Sequence, residues 1–309
     1  MSPSRRLPTA AAALAIAALA VPATALAAKK NSYYVSLGDS FAQGVQPLGP
    51  NDTTVITNDG YTDYLFERLK AQRKNKGLKL VKLGCGGATT DSMINGTLAC
   101  NENLVPPYKN VSKATSQLTY ARKWMRAKRR AGHRIAYVTI SIGGNNFSSC
   151  AGEPNINAAA VCTAAGIERM EKDLPTIAKA VRGGAGRNAT IAGSTYPDIL
   201  LGEWVRGRED GQDLARASVT VFRDRINPPL RSAYRKRRIG FVDATANFGA
   251  YTPFEQTTTL GDYGEIPLNV ANICTHTWYC AKADIHLKPS GYRMMATQYA
   301  ALMRKLDKR

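Results

Sequence analysis

Five short apolar runs punctuate the chain, and each stops at glycine or at a polar turn. Tyr33-Tyr34-Val35-Ser36-Leu37 ends in Gly38-Asp39-Ser40, Leu78–Leu83 in Gly84-Cys85-Gly86-Gly87, and Ile135–Ile142 in Gly143-Gly144-Asn145-Asn146. Thr190–Gly193 runs into Ser194-Thr195-Tyr196-Pro197, and Ile239–Val242 into Asp243. Between them, apolar positions recur close to the helical period over 61–74 (Tyr61, Tyr64, Leu65, Leu69), 116–131 and 167–181. Residues 214–234 read as a helix that Pro228-Pro229 interrupts, and 290–306 as a closing helix capped by Ser290. Strands alternating with helices predict a parallel sheet covered on both faces. The Gly-rich segments then fall at the C-terminal ends of the strands, the edge where open α/β sheets carry their sites.

The first residues follow a different pattern. Arg5 and Arg6 precede an Ala/Leu-rich stretch that closes on Ala25-Leu26-Ala27 and the polar Lys29-Lys30-Asn31. A charged start, an apolar middle and a small-x-small end predict a secretory signal peptide over 1–27, with one domain over 28–309. No other stretch is long and apolar enough for a membrane span. Cys85, Cys100, Cys150, Cys162, Cys274 and Cys280 agree with export, because an even count in an exported chain suggests disulfides. Their clustering in three near pairs favours 85–100, 150–162 and 274–280 among the possible pairings. With no Cys-x-x-Cys and only 3 histidines, no metal site is expected.

The formal charge is +19, or +17 without Arg5 and Arg6. Basic residues gather at Arg68–Lys82, Arg122–Arg134 and Arg231–Arg238. They fall on apparent helices and helix ends, between apolar positions. Solvated helix faces are therefore expected rather than a nucleic-acid interface. The remaining use of this charge is association with anionic envelope or phospholipid surfaces.

Four segments, "SLGDSFAQG", "LGCGGATT", "SIGGNNF" and "DIHLKPSGY", stand in order on strand ends and before the last helix. In them the chain resembles the GDSL, or SGNH, family of serine hydrolases. The segment "ICTHTWYC" is similar to the secreted actinobacterial branch, whose members carry three disulfides. The resemblance implies a three-layer α/β/α sandwich with a central five-stranded parallel sheet, of flavodoxin-like SGNH type. It also implies a secreted carboxylic ester hydrolase; no cofactor and a monomeric chain are expected.

The same resemblance assigns roles that chemistry makes reasonable. A serine hydroxyl needs an adjacent base, so Ser40 is expected as nucleophile and His286 as its base. The Ser40 and Gly87 backbone N–H groups and the Asn145 side chain are expected to hold the oxyanion. His276 is the rival base, and His133 reads as a solvated helix-end residue. Two positions depart from the family pattern. Position 283 is Ala where the family has Asp three residues before its histidine, and the acid, Asp284, lies only two before His286. Either Asp284 or a backbone carbonyl then orients the imidazole. Asn146 stands where the family commonly has Asp.

Gly-x-Ser-x-Gly, a Walker loop and a dinucleotide-binding glycine fingerprint are all absent. The leading expectation is an esterase or lipase acting on small-molecule or lipid esters. The alternatives are a carbohydrate acetyl esterase, or a non-catalytic envelope-binding module on the same fold.

Overall fold

The computed structural model describes residues 30–96 and 115–307. The expected leader over 1–27 and Cys100, hence the 85–100 pairing, lie outside the described residues. Among the described residues no helix is long and apolar enough to cross a membrane.

A five-stranded parallel sheet runs in the order β4-β1-β5-β6-β7. The strands are β1 (Ser32–Gly38), β4 (Leu78–Lys82), β5 (Arg134–Ser141), β6 (Thr190–Ser194) and β7 (Gly240–Val242). Residues of β1 and β5 such as Tyr34, Val35, Leu37, Tyr137, Val138 and Ile140 are fully buried. That is why these runs read as continuously apolar rather than alternating. Two small antiparallel pairs went unread in the sequence, β2 (Val45–Gln46) with β3 (Val55–Ile56) and β8 (Thr257–Thr259) with β9 (Glu265–Pro267).

Helices cover both faces. On one, α2 (Tyr61–Lys70) packs against α11 (Pro289–Leu306), with the Tyr61 and Tyr299 rings stacked at 5.0 Å. On the other, α4 (Gln117–Arg130), α5 (Ile156–Ala185) and α7 (Asn227–Arg235) pack together. The other helices are short or lie near the strand ends: α1 (Ser40–Gln43), α3 (Thr90–Asn95), α6 (Gly211–Val221), α8 (Ala244–Asn247), α9 (Leu268–His276) and α10 (Tyr279–Lys282). The α/β/α expectation holds.

Two helix ends differ from the sequence reading. Pro228-Pro229 does not break the 214–234 segment outright. Residues Phe222–Ile226 widen into a π turn in which the Asn227 N–H donates to the Phe222 carbonyl. The prolines then fall in the first turn of α7, where a missing N–H costs little. The closing helix starts at Pro289, not at a Ser290 cap. The Ser290 hydroxyl instead lies 3.0 Å from His276 Nδ1.

Candidate active site

The end of β1 allows only glycine at position 38. Gly38 has φ +134°, and a Cβ there would sit 2.0 Å from the Ser141 carbonyl oxygen. The Gln117 amide clamps it: Gly38 N–H donates to Oε1 (2.8 Å) and Nε2 donates to the Gly38 carbonyl (2.7 Å). Asp39 then caps α1 by accepting from the Phe41 N–H at 3.0 Å, which leaves Ser40 as the first helical residue. The second Asp39 oxygen accepts from the Tyr196 hydroxyl. Burial pushes the Asp39 carboxyl up to about 7, against the pull of Tyr196, Phe41 N–H and nearby His286. Asp39, Gln117 and Tyr196 escaped the sequence reading. Gln117 and Tyr196 meet this turn from 79 and 157 residues away, so no local pattern announces them.

The segment carrying His286 is braced from both sides. The Trp278 N–H donates to the His286 carbonyl at 2.9 Å and the Lys288 N–H to the His276 carbonyl at 2.9 Å. The Cys274–Cys280 disulfide, with Cα atoms 5.2 Å apart, closes the turn that holds Trp278. Ala283 takes φ +55°, unusual for a residue with a Cβ, at the C-terminal end of α10. That turn accounts for the altered spacing. It brings Asp284 Oδ1 to 2.8 Å from His286 Nδ1 and 2.9 Å from the His286 backbone N. Burial raises the Asp284 carboxyl, but these two contacts, the imidazole and Lys282 outweigh it, so the group sits below the usual carboxylate range. His286 Nε2 is buried and has no hydrogen-bond partner among the described residues.

Ser40, Gly87, Asn145 and His286 all line one cavity of about 350 Å³. Gly87 has φ +73° and nothing within 4 Å of where a Cβ would stand, so its backbone faces open space. One Asn145 Nδ2 hydrogen is committed to the Ala88 carbonyl (3.0 Å), and Ser148 Oγ donates to Oδ1 at 3.4 Å. The amide is thereby oriented with one N–H to spare. The Cys150–Cys162 disulfide, with Cα atoms 5.6 Å apart, ties the turn after Asn145 to α5. Asn146 has a different task. Thr90 N–H donates to its Oδ1 (3.0 Å), and its Nδ2 donates to Thr90 Oγ1 (2.8 Å). Thr90 gives its one hydroxyl proton to Asp173 (2.7 Å), so it needs a donor opposite, which an ionised aspartate in place of Asn146 would not supply. His276 lines neither this cavity nor the one next to it. His133 is half-buried rather than solvated, and accepts from the Asn31 N–H at 3.2 Å.

A second cavity shares Ser40, Asn145 and Ile285 with the first. Its walls are largely apolar, with Phe41, Phe147, Ile199, Leu200 and Phe222. Behind Phe147, Leu200 and Phe222, which line both, lies a further apolar cavity of about 190 Å³ between α5 and α6. Ser218 of that cavity donates to Asp198 Oδ2 at 2.8 Å, whereas Asp198 Oδ1 is buried without a partner among the described residues. Burial pushes Asp198 up to about 7. A carboxyl raised on folding adds stability fully below its unfolded value, about pH 4, and that contribution is lost as pH climbs through 7. In thermal melts of Asp198→Asn, the Tm difference, variant minus wild type, should therefore grow between about pH 4 and pH 8. A pH-independent difference would show that Asp198 does not change its ionisation on folding.

The family model for the GDSL-like lipase/acylhydrolase family matches residues 36–294. No curated protein matches the chain. Among solved structures, an extracellular lipase from Streptomyces rimosus is 15% identical with a TM-score of 0.47, covering 89% of this chain and 99% of that one. An acetylxylan esterase from Geobacillus stearothermophilus is 14% identical with a TM-score of 0.45, covering 89% and 94%. An α/β hydrolase from the metagenome of Lake Arreo, Spain, is 16% identical with a TM-score of 0.46, covering 90% and 97%.

Proposed function

The chain belongs to the GDSL-like lipase/acylhydrolase family and is a carboxylic ester hydrolase; from that premise we propose a secreted serine esterase that forms an acyl-enzyme on Ser40 and favours acyl chains longer than acetyl. One observation carries this reading. Ser40 and Asn145 stand where two cavities meet, one holding His286 and Gly87, the other apolar.

The mechanism follows from the donors and acceptors. Asp284 holds the proton of His286 on Nδ1, which leaves the Nε2 lone pair to take the Ser40 proton as Oγ attacks the ester carbonyl. The oxyanion then meets the Ser40 and Gly87 N–H groups and the spare Asn145 N–H. His286 returns the proton to the leaving alcohol, and a water activated by the same imidazole releases the acid. Asn145→Ala should lower kcat by about 10²–10³-fold with little change in KM, because such a donor acts mainly in the transition state. A variant with normal kcat would remove Asn145 from the mechanism.

The apolar cavity sets the acyl preference. Each methylene taken out of water contributes about 0.8 kcal/mol, or about 4-fold in kcat/KM. A p-nitrophenyl series should therefore show butyrate, with two more methylenes, ahead of acetate by about 15-fold, with acetylated xylan a poor substrate. A preference for acetate, or faster release of acetate from xylan, would favour an acetyl esterase. No turnover of any ester would favour a non-catalytic envelope-binding module. Secretion is supported by the two disulfides, Cys150–Cys162 and Cys274–Cys280, since such bonds persist in oxidising compartments.

A further inference from the structure

The N-terminal edge of the sheet, opposite the active site, carries a trough of arginines. One concavity of about 1110 Å³ and another of about 890 Å³ share Arg134, Arg182 and Arg187 as common wall. Arg134 opens β5, Arg182 closes α5, and Arg187 lies in the turn before β6. The first concavity adds arginines from the end of α4, and the second adds arginines from α7 and the turn that follows. Nine arginines and no lysine line the two together, with Asp307 the single acid among the described residues. Asp307 is already bound to Lys74 at 2.7 Å.

Internal partners account for only part of this charge. Arg129 donates to the Gly184 carbonyl, and Arg231 pairs with Asp243 at 2.9 Å. Arg182 donates to the carbonyls of Gly186, Ala189, Arg237 and Arg238. Arg126, Arg130, Arg134, Arg187, Arg235 and Arg238 have no carboxylate partner among the described residues, and all six are exposed. Helix C-termini offer only about half a negative charge each, so the four that end here, those of α4, α5, α7 and α11, cannot balance nine guanidinium groups.

We propose that this trough binds a linear phosphate-bearing polymer and so tethers the enzyme with its active site free. The chemistry of the lining selects phosphate. A guanidinium fork pairs bidentately with carboxylate or phosphate, but a carboxylate's two oxygens are filled by one fork. A phosphate has further oxygens and can bridge neighbouring arginines, which a wall of crowded like charges requires. Two concavities with a common wall suit a chain rather than one small anion. Among the described residues the only aromatic ring in either lining, other than His133, is Phe241, and the Arg231 guanidinium covers it at 4.9 Å. The trough therefore addresses phosphates, not stacked bases. The eight residues of β5 separate trough from active site by about 26 Å, so docking this face on a bilayer would turn the ester site away from that bilayer.

The test is a titration of the full chain with short linear polyphosphate over a salt series, beside polyglutamate and phosphatidylglycerol vesicles. Polyphosphate should bind more than 10-fold tighter than polyglutamate at about 0.1 M salt, with log Kd linear in log salt. Arg134→Gln/Arg187→Gln/Arg238→Gln should weaken polyphosphate binding by at least about 10-fold and lower the salt slope by about 2–3. Turnover of a soluble p-nitrophenyl ester by that variant should be unchanged, which also reports an intact fold. The control Arg68→Gln/Lys70→Gln/Arg73→Gln removes the same charge elsewhere and should leave the affinity within about 2-fold. Equal losses in both variants would reduce the effect to net charge and overturn the proposal. So would equal affinity for polyglutamate, or vesicle binding that depends on the trough as strongly.

Discussion

Ser40→Ala should lower kcat by about 10³–10⁶-fold while KM and Tm stay close to wild type. In the proposed mechanism this hydroxyl forms the bond to the acyl carbon, which alanine cannot do. Its loss is felt in the chemical step, so kcat and kcat/KM should fall together. The oxyanion donors proposed at Gly87 and Asn145 would remain, so some rate above that of water alone should survive. Steady-state kinetics on p-nitrophenyl butyrate, with a melt to check the fold, measures this. A fall in Tm of many degrees would mean that the side chain supports the turn, and a kcat within about 10-fold of wild type would remove Ser40 as nucleophile.

Asp284→Asn should cost about 10²–10⁴-fold in kcat with the fold retained. In the proposed mechanism the carboxylate fixes which imidazole nitrogen carries the proton and stabilises the imidazolium that forms during attack. Its oxygen lies 2.8 Å from Nδ1, on the side of the ring away from the unpartnered Nε2. The same oxygen receives the His286 backbone N–H, so the acid also shapes the turn. A loss of only a few-fold would mean that other groups orient the ring, and would leave a Ser-His dyad.

The parallel sheet was legible because its strands are short apolar runs that each stop at glycine or a polar turn, whereas the strand order β4-β1-β5-β6-β7 came from the structure. Ser40, Gly87, Asn145 and His286 were singled out by the family resemblance, in segments that follow strand ends or precede the last helix, and they line one cavity. What the sequence hid depends on distance or on compensation. Gln117 and Tyr196 reach the Asp39 turn across long stretches of chain. The pairs β2–β3 and β8–β9 have two or three residues per strand, too few for a period to register. Pro228-Pro229 looks like a break until the π turn before it shifts both prolines into a first turn. The departure at 283 needed a backbone angle, φ +55° at Ala283, to show how Asp284 reaches the imidazole. The basic runs at 122–134 and 231–238 read as separate solvated faces. Only the parallel sheet brings them to one edge, with Arg182 and Arg187 between.

The central claim is that Ser40 alone becomes acylated during turnover. A fluorophosphonate reacts with an activated serine by the same attack and leaves a stable phosphonyl group on Oγ. Peptide mapping by mass spectrometry after stoichiometric inactivation should find one modification, on Ser40, and should find none in His286→Ala. A modification on any other serine, or loss of activity with Ser40 unmodified, would contradict the account.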